Sequence, residues 1–279
     1  MTTQSTAQNF DRKHSHDDQP DSLSPEVVVG GMKVSTQPLE ALILRMLDEA
    51  PVIRQSGDRA RLIFDCNGHG LSLRANDPLF KSAVDQADLI HADGGIIVAA
   101  SHFFCSGTPI ANRSATTDMF LDSLAAAAEK RVSYFLLGAT QSVVETCVSR
   151  LTQDHPRLNL AGYRNGYFSA DEEDAVVEAI NTAAPDVLWV GLGKPKEQIF
   201  CVRNRDRLKC GWIVTCGGLF NFVTGDYPRA PRWMQRVGLE WAHRLATNPR
   251  KLFWRYLTTN PHALWLIATQ SRATVEEAK

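Results

Sequence analysis

From about residue 25 the chain repeats one local pattern: a short apolar run, a glycine-bearing turn, then an amphipathic stretch of helical length. The runs Arg61–Cys66, Asp88–Ala92, Val132–Leu137, Asn159–Tyr163, Asp186–Val190 and Trp212–Thr215 are rich in Val, Ile and Leu. Between them lie helix candidates at Pro38–Glu49, Pro78–Gln86, Thr117–Lys130, Gln141–Gln153, Ala170–Ala183 and Pro195–Leu208. Strands alternating with helices predict βαβ units. A strand that is apolar on both faces belongs in a parallel sheet covered on both sides. The predicted fold class is therefore α/β, a Rossmann-like parallel sheet with helices on both faces. No repeat of fixed period accompanies it.

The ends of the chain differ from this middle. Residues 1–24 are rich in Ser, Asp, Gln and His. They hold too little apolar area to offset ordering entropy, and a disordered tail is expected there. Residues 25–227 form the expected core. Beyond Pro228 the texture changes again. Arg229, Arg232, Arg236, Arg244, Arg250, Lys251 and Arg255 face a single acid, Glu240, and Trp233, Trp241, Phe253 and Trp254 are interleaved. Asn248-Pro249 and Asn260-Pro261 each read as an N-cap followed by proline in the first turn. Short helices are expected from about 231, 249 and 261, making 228–279 a basic helical appendage. In the first of them Trp233, Val237, Trp241 and Leu245 form one stripe, flanked by Arg232, Arg236 and Arg244.

Several classes are excluded. A net charge of −1 argues against a generally basic nucleic-acid binder. No apolar run is long enough for a spanning helix, and the N-terminus lacks a signal-like segment. The chain is expected in the cytoplasm, in solution or against a membrane surface. Six cysteines without a CxxC pair read as free thiols, and the Cys/His spacing of a zinc site is missing. No metal and no cofactor are expected.

In open α/β sheets, ligands gather beyond the carboxyl ends of the strands. Here those ends carry Asp93-Gly94-Gly95, Gly138-Ala139-Thr140, Gly191-Leu192-Gly193-Lys194-Pro195 and Gly217-Gly218-Leu219-Phe220-Asn221-Phe222. Small residues admit a ligand to the backbone, and a following helix N-terminus suits a phosphate. The third glycine of a dinucleotide fingerprint is missing, since position 196 is Lys, and neither a P-loop nor a GxSxG elbow occurs. No Asp-x-Asp is present to hold a nucleotide-bound metal, so a diphosphate leaving group would draw its cations from the arginines of the appendage. Asp93 is the candidate general base, although most Asp-Gly pairs merely cap a turn. Asp65, Asn67, Arg113, Asp118, Glu197, Gln198 and Asn221 each also have an ordinary structural reading.

Taken together, these motifs resemble the WecG/TagA/CpsF family of bacterial glycosyltransferases, from about Asp65 to Tyr256. The most specific part runs Gly217-Gly218-Leu219-Phe220-Asn221-Phe222, Gly225, Arg229-Ala230-Pro231, Gly238-Leu239-Glu240-Trp241 with Arg244, Pro249-Arg250 and Arg255-Tyr256. The resemblance implies an inverting, metal-independent transferase that moves a hexosyl group from a UDP-sugar to a polyprenyl-diphosphate-linked sugar, in exopolysaccharide, capsule or wall-polymer synthesis. It implies Asp93 as base and a peripheral place on the inner face of the cell membrane, with the appendage closing over the site and touching lipid. The expected substrate-binding set is Asp65, Asn67, Arg113, Asp118, Gly138, Gly191, Gly193, Lys194, Glu197, Gln198, Asn221, Arg244, Arg250 and Arg255. Five positions depart from the family pattern. Asp65 replaces the threonine of Thr-x-Asn, and Thr116 stands at a usual glycine. Glu197-Gln198 reverses Gln-Glu, and Asn221 replaces an aspartate. Other readings are a UDP-sugar-binding module without turnover and a nucleic-acid binder using the Arg/Trp segment. The oligomeric state is left open.

Overall fold

The structure is a computed structural model, and it describes residues 25–105, 107–231, 233–234 and 240–271. The expected tail at 1–24 lies outside these residues, as do Arg232, Arg236, Val237, Gly238 and Leu239 of the first appendage helix.

The six expected strands all form and make one parallel sheet. In chain order they are β3 (Arg61–Cys66), β4 (Leu89–Ala92), β5 (Ser133–Gly138), β6 (Asn159–Arg164), β7 (Val187–Gly191) and β8 (Trp212–Thr215). Their spatial order is β4-β3-β8-β7-β5-β6. The last strand thus inserts between the first and fifth of the sheet and brings four carboxyl ends side by side.

Side chains alternate between two cores, as a period of two requires. Phe135 and Leu137 with Leu188 and Val190 join one core, together with residues of α2 (Gly68–Asn76), α3 (Pro78–Val84), α4 (Gly95–Phe104), α7 (Glu173–Ala183) and α8 (Lys196–Asn204). Tyr134 and Leu136 with Val187, Trp189 and Trp212 join the other, under α1 (Leu39–Ser56), α5 (Thr116–Lys130), α6 (Gln141–Asp154) and α9 (Leu219–Val223). Double burial is why the strands other than the edge strand β6 read as apolar runs.

Besides the short helix α9, three elements were not expected from the sequence. An antiparallel hairpin, β1 (Glu26–Val29) and β2 (Met32–Ser35), turns through Gly30 and Gly31, both at positive φ. Helix α2 starts at Gly68 because the Asn67 side chain accepts the Gly70 N–H at 2.9 Å. Helix α4 starts at Gly95, directly after the Asp93-Gly94 turn.

The C-terminal end is α10 (Glu240–Thr247) and α11 (Pro249–Gln270). Two helices were expected from 249 and 261. One helix continues through Pro261 instead. Its buried Leu252, Ala263, Leu266 and Ile267 form one face, and the last three pack into the same core as α2. His262 Nδ1 lies 2.9 Å from Ser72 Oγ, and the Gln270 carbonyl accepts the Gly31 N–H at 3.1 Å. That continuous packing outweighs the backbone hydrogen bond lost at the proline.

Candidate active site

The parallel pairing of β3 and β4 sets Asp65 opposite His91. With a period of two, Asn67 and Asp93 follow just beyond, so four polar side chains meet at neighbouring strand ends.

Asn67 links the two carboxylates. Its Oδ1 is committed to the Gly70 N–H, which fixes the amide so that Nδ2 donates to Asp65 Oδ2 at 2.7 Å and to Asp93 Oδ2 at 3.4 Å. Asp93 is anchored through its own N–H to the Cys66 carbonyl at 3.0 Å. Its Oδ1 accepts the Thr116 N–H at 3.0 Å. Burial pushes the Asp93 carboxyl upward, but His91 in its protonated form, the Thr116 N–H, Arg244 and Lys194 outweigh it and hold it below the ordinary carboxylate range. Asp93 is thus an ionised acceptor at neutral pH, with Oδ2 the less encumbered oxygen.

Lys194 enters from the loop after β7. Its ammonium pairs with Asp65 Oδ2 and lies 3.4 Å from the Asp65 carbonyl oxygen. Burial opposes its charge, yet Asp65, with Glu197 and Asp93 beyond it, raises its pKa above the ordinary lysine value. Lys194 and Arg255 both act on His69, whose pKa falls to about 4, chiefly through burial.

Glu197 is fully buried in the first turn of α8. Its Oε2 accepts the Gly193 N–H at 2.9 Å and the Gly217 N–H at 3.0 Å, and its Oε1 accepts the Gln198 amide at 3.2 Å. Burial, then the charge of Asp65, pushes its pKa up to about 7. Glu197 therefore clamps the loops that leave β7 and β8. Gln198 spends its Nε2 on Glu197 and on Thr215 Oγ1 at 3.4 Å, while its buried Oε1 has no partner.

The glycines divide into two kinds. A Cβ on Gly138 would fall 2.4 Å from the Gly191 carbonyl oxygen, and one on Gly191 would fall 2.7 Å from that of Gly217. These two let strand ends approach each other. Gly193, at φ +78°, has nothing within 4 Å of the added atom and faces open space.

The appendage meets the core through ions. Arg113 Nη1 donates to Glu240 Oε2 at 2.7 Å, and its Nη2 lies 3.5 Å from Asp118. Asp118 also pairs with Arg229 at 2.7 Å. The Arg244 guanidinium sits 4.6 Å over the Phe222 ring, close enough for its charge to act on Asp93. Arg255 stacks 5.2 Å from Tyr256, with its buried Nε lacking a hydrogen-bond partner. The structure does not bring Arg250 or Asn221 into this group: Arg250 is exposed in the first turn of α11, and the Asn221 amide reaches towards Asp226 at 3.5 Å.

A separate depression at the opposite end of the sheet is lined by Arg54, Arg59, Arg205 and Arg207. Those arginines are committed to Asp186, Asp206, Asp88 and Asp174. Among the described residues no group of three or more His, Cys, Asp or Glu side chains is arranged to hold a metal ion. The sequence reading missed His69 and His91 as site residues. Their signal was the period of two, which places Asn67 with Asp65, and His91 with Asp93, while His69 opens α2.

Comparison with known proteins gives the family. Residues 27–277 match the glycosyl transferase WecG/TagA/CpsF family. Over 200 residues the chain is 31% identical to an N-acetylglucosaminyldiphosphoundecaprenol N-acetyl-beta-D-mannosaminyltransferase of Bacillus spizizenii, covering 72% of this chain and 76% of that one. Proteins of the same name from Bacillus subtilis strain 168 and Staphylococcus aureus strain NCTC 8325 are 32% and 31% identical over 62% and 61% of this chain. Those two matches span 64% and 65% of the relatives' own lengths. With the match running across nearly all of the described fold, the chain belongs to the WecG/TagA/CpsF family of glycosyl transferases.

Proposed function

We propose that the protein is an inverting, metal-independent hexosyltransferase, moving the sugar of a UDP-sugar to a polyprenyl-diphosphate-linked sugar in polymer synthesis. The observation that carries this reading is Asp93: an ionised carboxylate at a strand end, its Oδ1 held by Thr116 and its Oδ2 turned to Asn67. In a single displacement the acceptor hydroxyl attacks the anomeric carbon and gives its proton to Asp93, while UDP leaves from the opposite face. Arg113, Lys194, Arg244 and Arg255 are cations around the site, and their charge stabilises the departing diphosphate. Gly193 offers the open backbone beside them, although its N–H already serves Glu197.

The relatives, whose names specify a diphosphoundecaprenol-linked N-acetylglucosamine, support a lipid-linked acceptor. A lipid-linked acceptor implies work at the inner face of the cell membrane. No helix among the described residues is long and apolar enough to cross one. The exposed Trp233, Trp241, Phe253, Trp254 and Trp265 support reversible contact instead. The relatives' names specify N-acetylmannosamine as the sugar they transfer.

The test is UDP release by the purified protein with EDTA present, across UDP-glucose, UDP-N-acetylmannosamine, UDP-N-acetylmannosaminuronic acid and UDP-N-acetylglucosamine, with and without lipid-linked acceptor. Acceptor-dependent release from one donor is expected. Asp93→Asn should lower kcat by about 10²–10⁴ and leave UDP affinity nearly unchanged. UDP binding without release from any pair would favour the binding module.

A further inference from the structure

His91 lies two residues before Asp93 on the same strand face and is completely buried. Its Nδ1 is 2.6 Å from the Ser114 carbonyl oxygen. A carbonyl only accepts, so Nδ1 carries the hydrogen. Burial pushes the imidazole below its ordinary pKa, and Asp65, Asp93 and Ser114 oppose this only in part. The ring is therefore neutral at neutral pH, and Nε2 presents a lone pair.

Thr116 Oγ1 stands 3.4 Å from that Nε2 and 3.5 Å from Asp93 Oδ1. A hydroxyl has one hydrogen and serves one of the two at a time. A buried imidazole nitrogen left without a donor is costly, whereas Asp93 Oδ1 already holds the Thr116 N–H.

We propose that His91 draws the Thr116 hydroxyl hydrogen to itself, so that Asp93 meets the acceptor hydroxyl with one donor fewer bound to its carboxylate. His91 and Thr116 are thus positioning residues of the transfer step. The Thr116 N–H fixes the carboxylate, and His91 keeps the hydroxyl from weakening it as a base. The inference rests on the reading of Asp93 as the base.

The test is steady-state kinetics at pH 8, where His91 is uncharged. His91→Asn retains an N–H donor for the Ser114 carbonyl and removes Nε2. The freed hydroxyl then turns to Asp93 Oδ1. An added hydrogen bond to a carboxylate weakens it as a base, so kcat should fall about three- to tenfold with KM for the UDP-sugar nearly unchanged. Adding Thr116→Val removes the hydroxyl, and kcat should rise back towards wild type although two residues are changed. A packing role alone makes the double variant at least as slow as His91→Asn. That outcome, or an unchanged kcat in His91→Asn, overturns the proposal. Nitrogen-15 NMR of the histidine rings in the wild-type protein provides a check that needs no variant to fold. A neutral Nδ1–H ring at pH 7 is expected for His91, and an imidazolium or an Nε2–H tautomer overturns the proposal. Full activity of Asp93→Asn would instead remove the base assignment itself. An inactive Asp93→Asn beside an unreversed His91→Asn would sink this inference alone.

Discussion

Asp65 and Lys194 leave the ends of two strands that are not neighbours, β3 and β7, and pair their charges across the end of β8 between them. Both side chains are more than 90% buried. The pair therefore ties the loop after β7 to the strand beside Asp93.

Breaking it from one side should be severe. Lys194→Met leaves the Asp65 carboxylate buried with only the Asn67 amide, and removing one partner of a buried pair costs about 3–5 kcal/mol. Adding Asp65→Asn removes the stranded charge and should recover most of that loss. Urea unfolding of the two single variants and the double variant checks this. Additive losses would mean that the two charges do not depend on each other.

Glu197 sets a pH dependence whose sign follows from its environment. Its folded pKa of about 7 stands above the ordinary glutamate value of 4.5. Between those values the folded protein keeps a proton that the unfolded chain releases, so this residue's contribution to stability is full below about pH 4.5 and is lost as pH rises to about 7. Glu197→Gln retains an oxygen for the Gly193 and Gly217 N–H groups and cannot titrate. The difference in Tm, wild type minus Glu197→Gln, should fall from pH 5 to pH 7.5 and then stay flat. A difference independent of pH would show that Glu197 does not titrate in this window.

Five of the six strands were legible because each is buried on both faces, which leaves an apolar run such as Tyr134–Leu137 in the sequence, whereas the edge strand Asn159–Arg164 is only partly covered. Their order was not. No local pattern says that Trp212–Thr215 enters between Arg61–Cys66 and Val187–Gly191, since pairing is decided by how the connecting helices pack. The hairpin did leave a signal, two apolar runs around Gly30-Gly31, but four-residue strands are easily overlooked. Helices α2 and α4 were hidden by the glycines at their starts.

In the site, Asp93 and Asn67 stood out because their motifs are local. His91 and Thr116 did not, because their meeting spans 25 residues and depends on strand register. Glu197 belongs to the expected substrate-binding set. Its oxygens turn inward because the loops after β7 and β8 present two N–H groups within reach.

The ion pair of Arg113 with Glu240 holds α10 against the core. Glu240 keeps 13% of its side-chain exposure there and Arg113 18%, so water screens the pair only in part. Glu240→Ala should loosen α10 by about 1–2 kcal/mol, speeding exchange of the amides at 241–247 by roughly tenfold. Amides of the central strands should exchange as before. Hydrogen exchange read by mass spectrometry checks this, and unchanged exchange in α10 would mean that packing alone holds it.

Two glycines of the strand-end loops should respond to alanine in different ways. At Gly193 the added Cβ meets nothing within 4 Å, and the backbone sits at φ +78°. Gly193→Ala thus carries only the left-handed backbone cost, about 1–2 kcal/mol. At Gly138 the Cβ would stand 2.4 Å from the Gly191 carbonyl oxygen and 2.8 Å from the Gly191 Cα. Those atoms belong to the neighbouring strand and cannot swing aside as a side chain would. Gly138→Ala must spread the carboxyl ends of β5 and β7, at a cost of at least about 3 kcal/mol, beyond the usual range for point substitutions. Urea midpoints of the two variants rank the costs. Equal losses would mean that the close approach of Gly138 and Gly191 is not a constraint on the sheet.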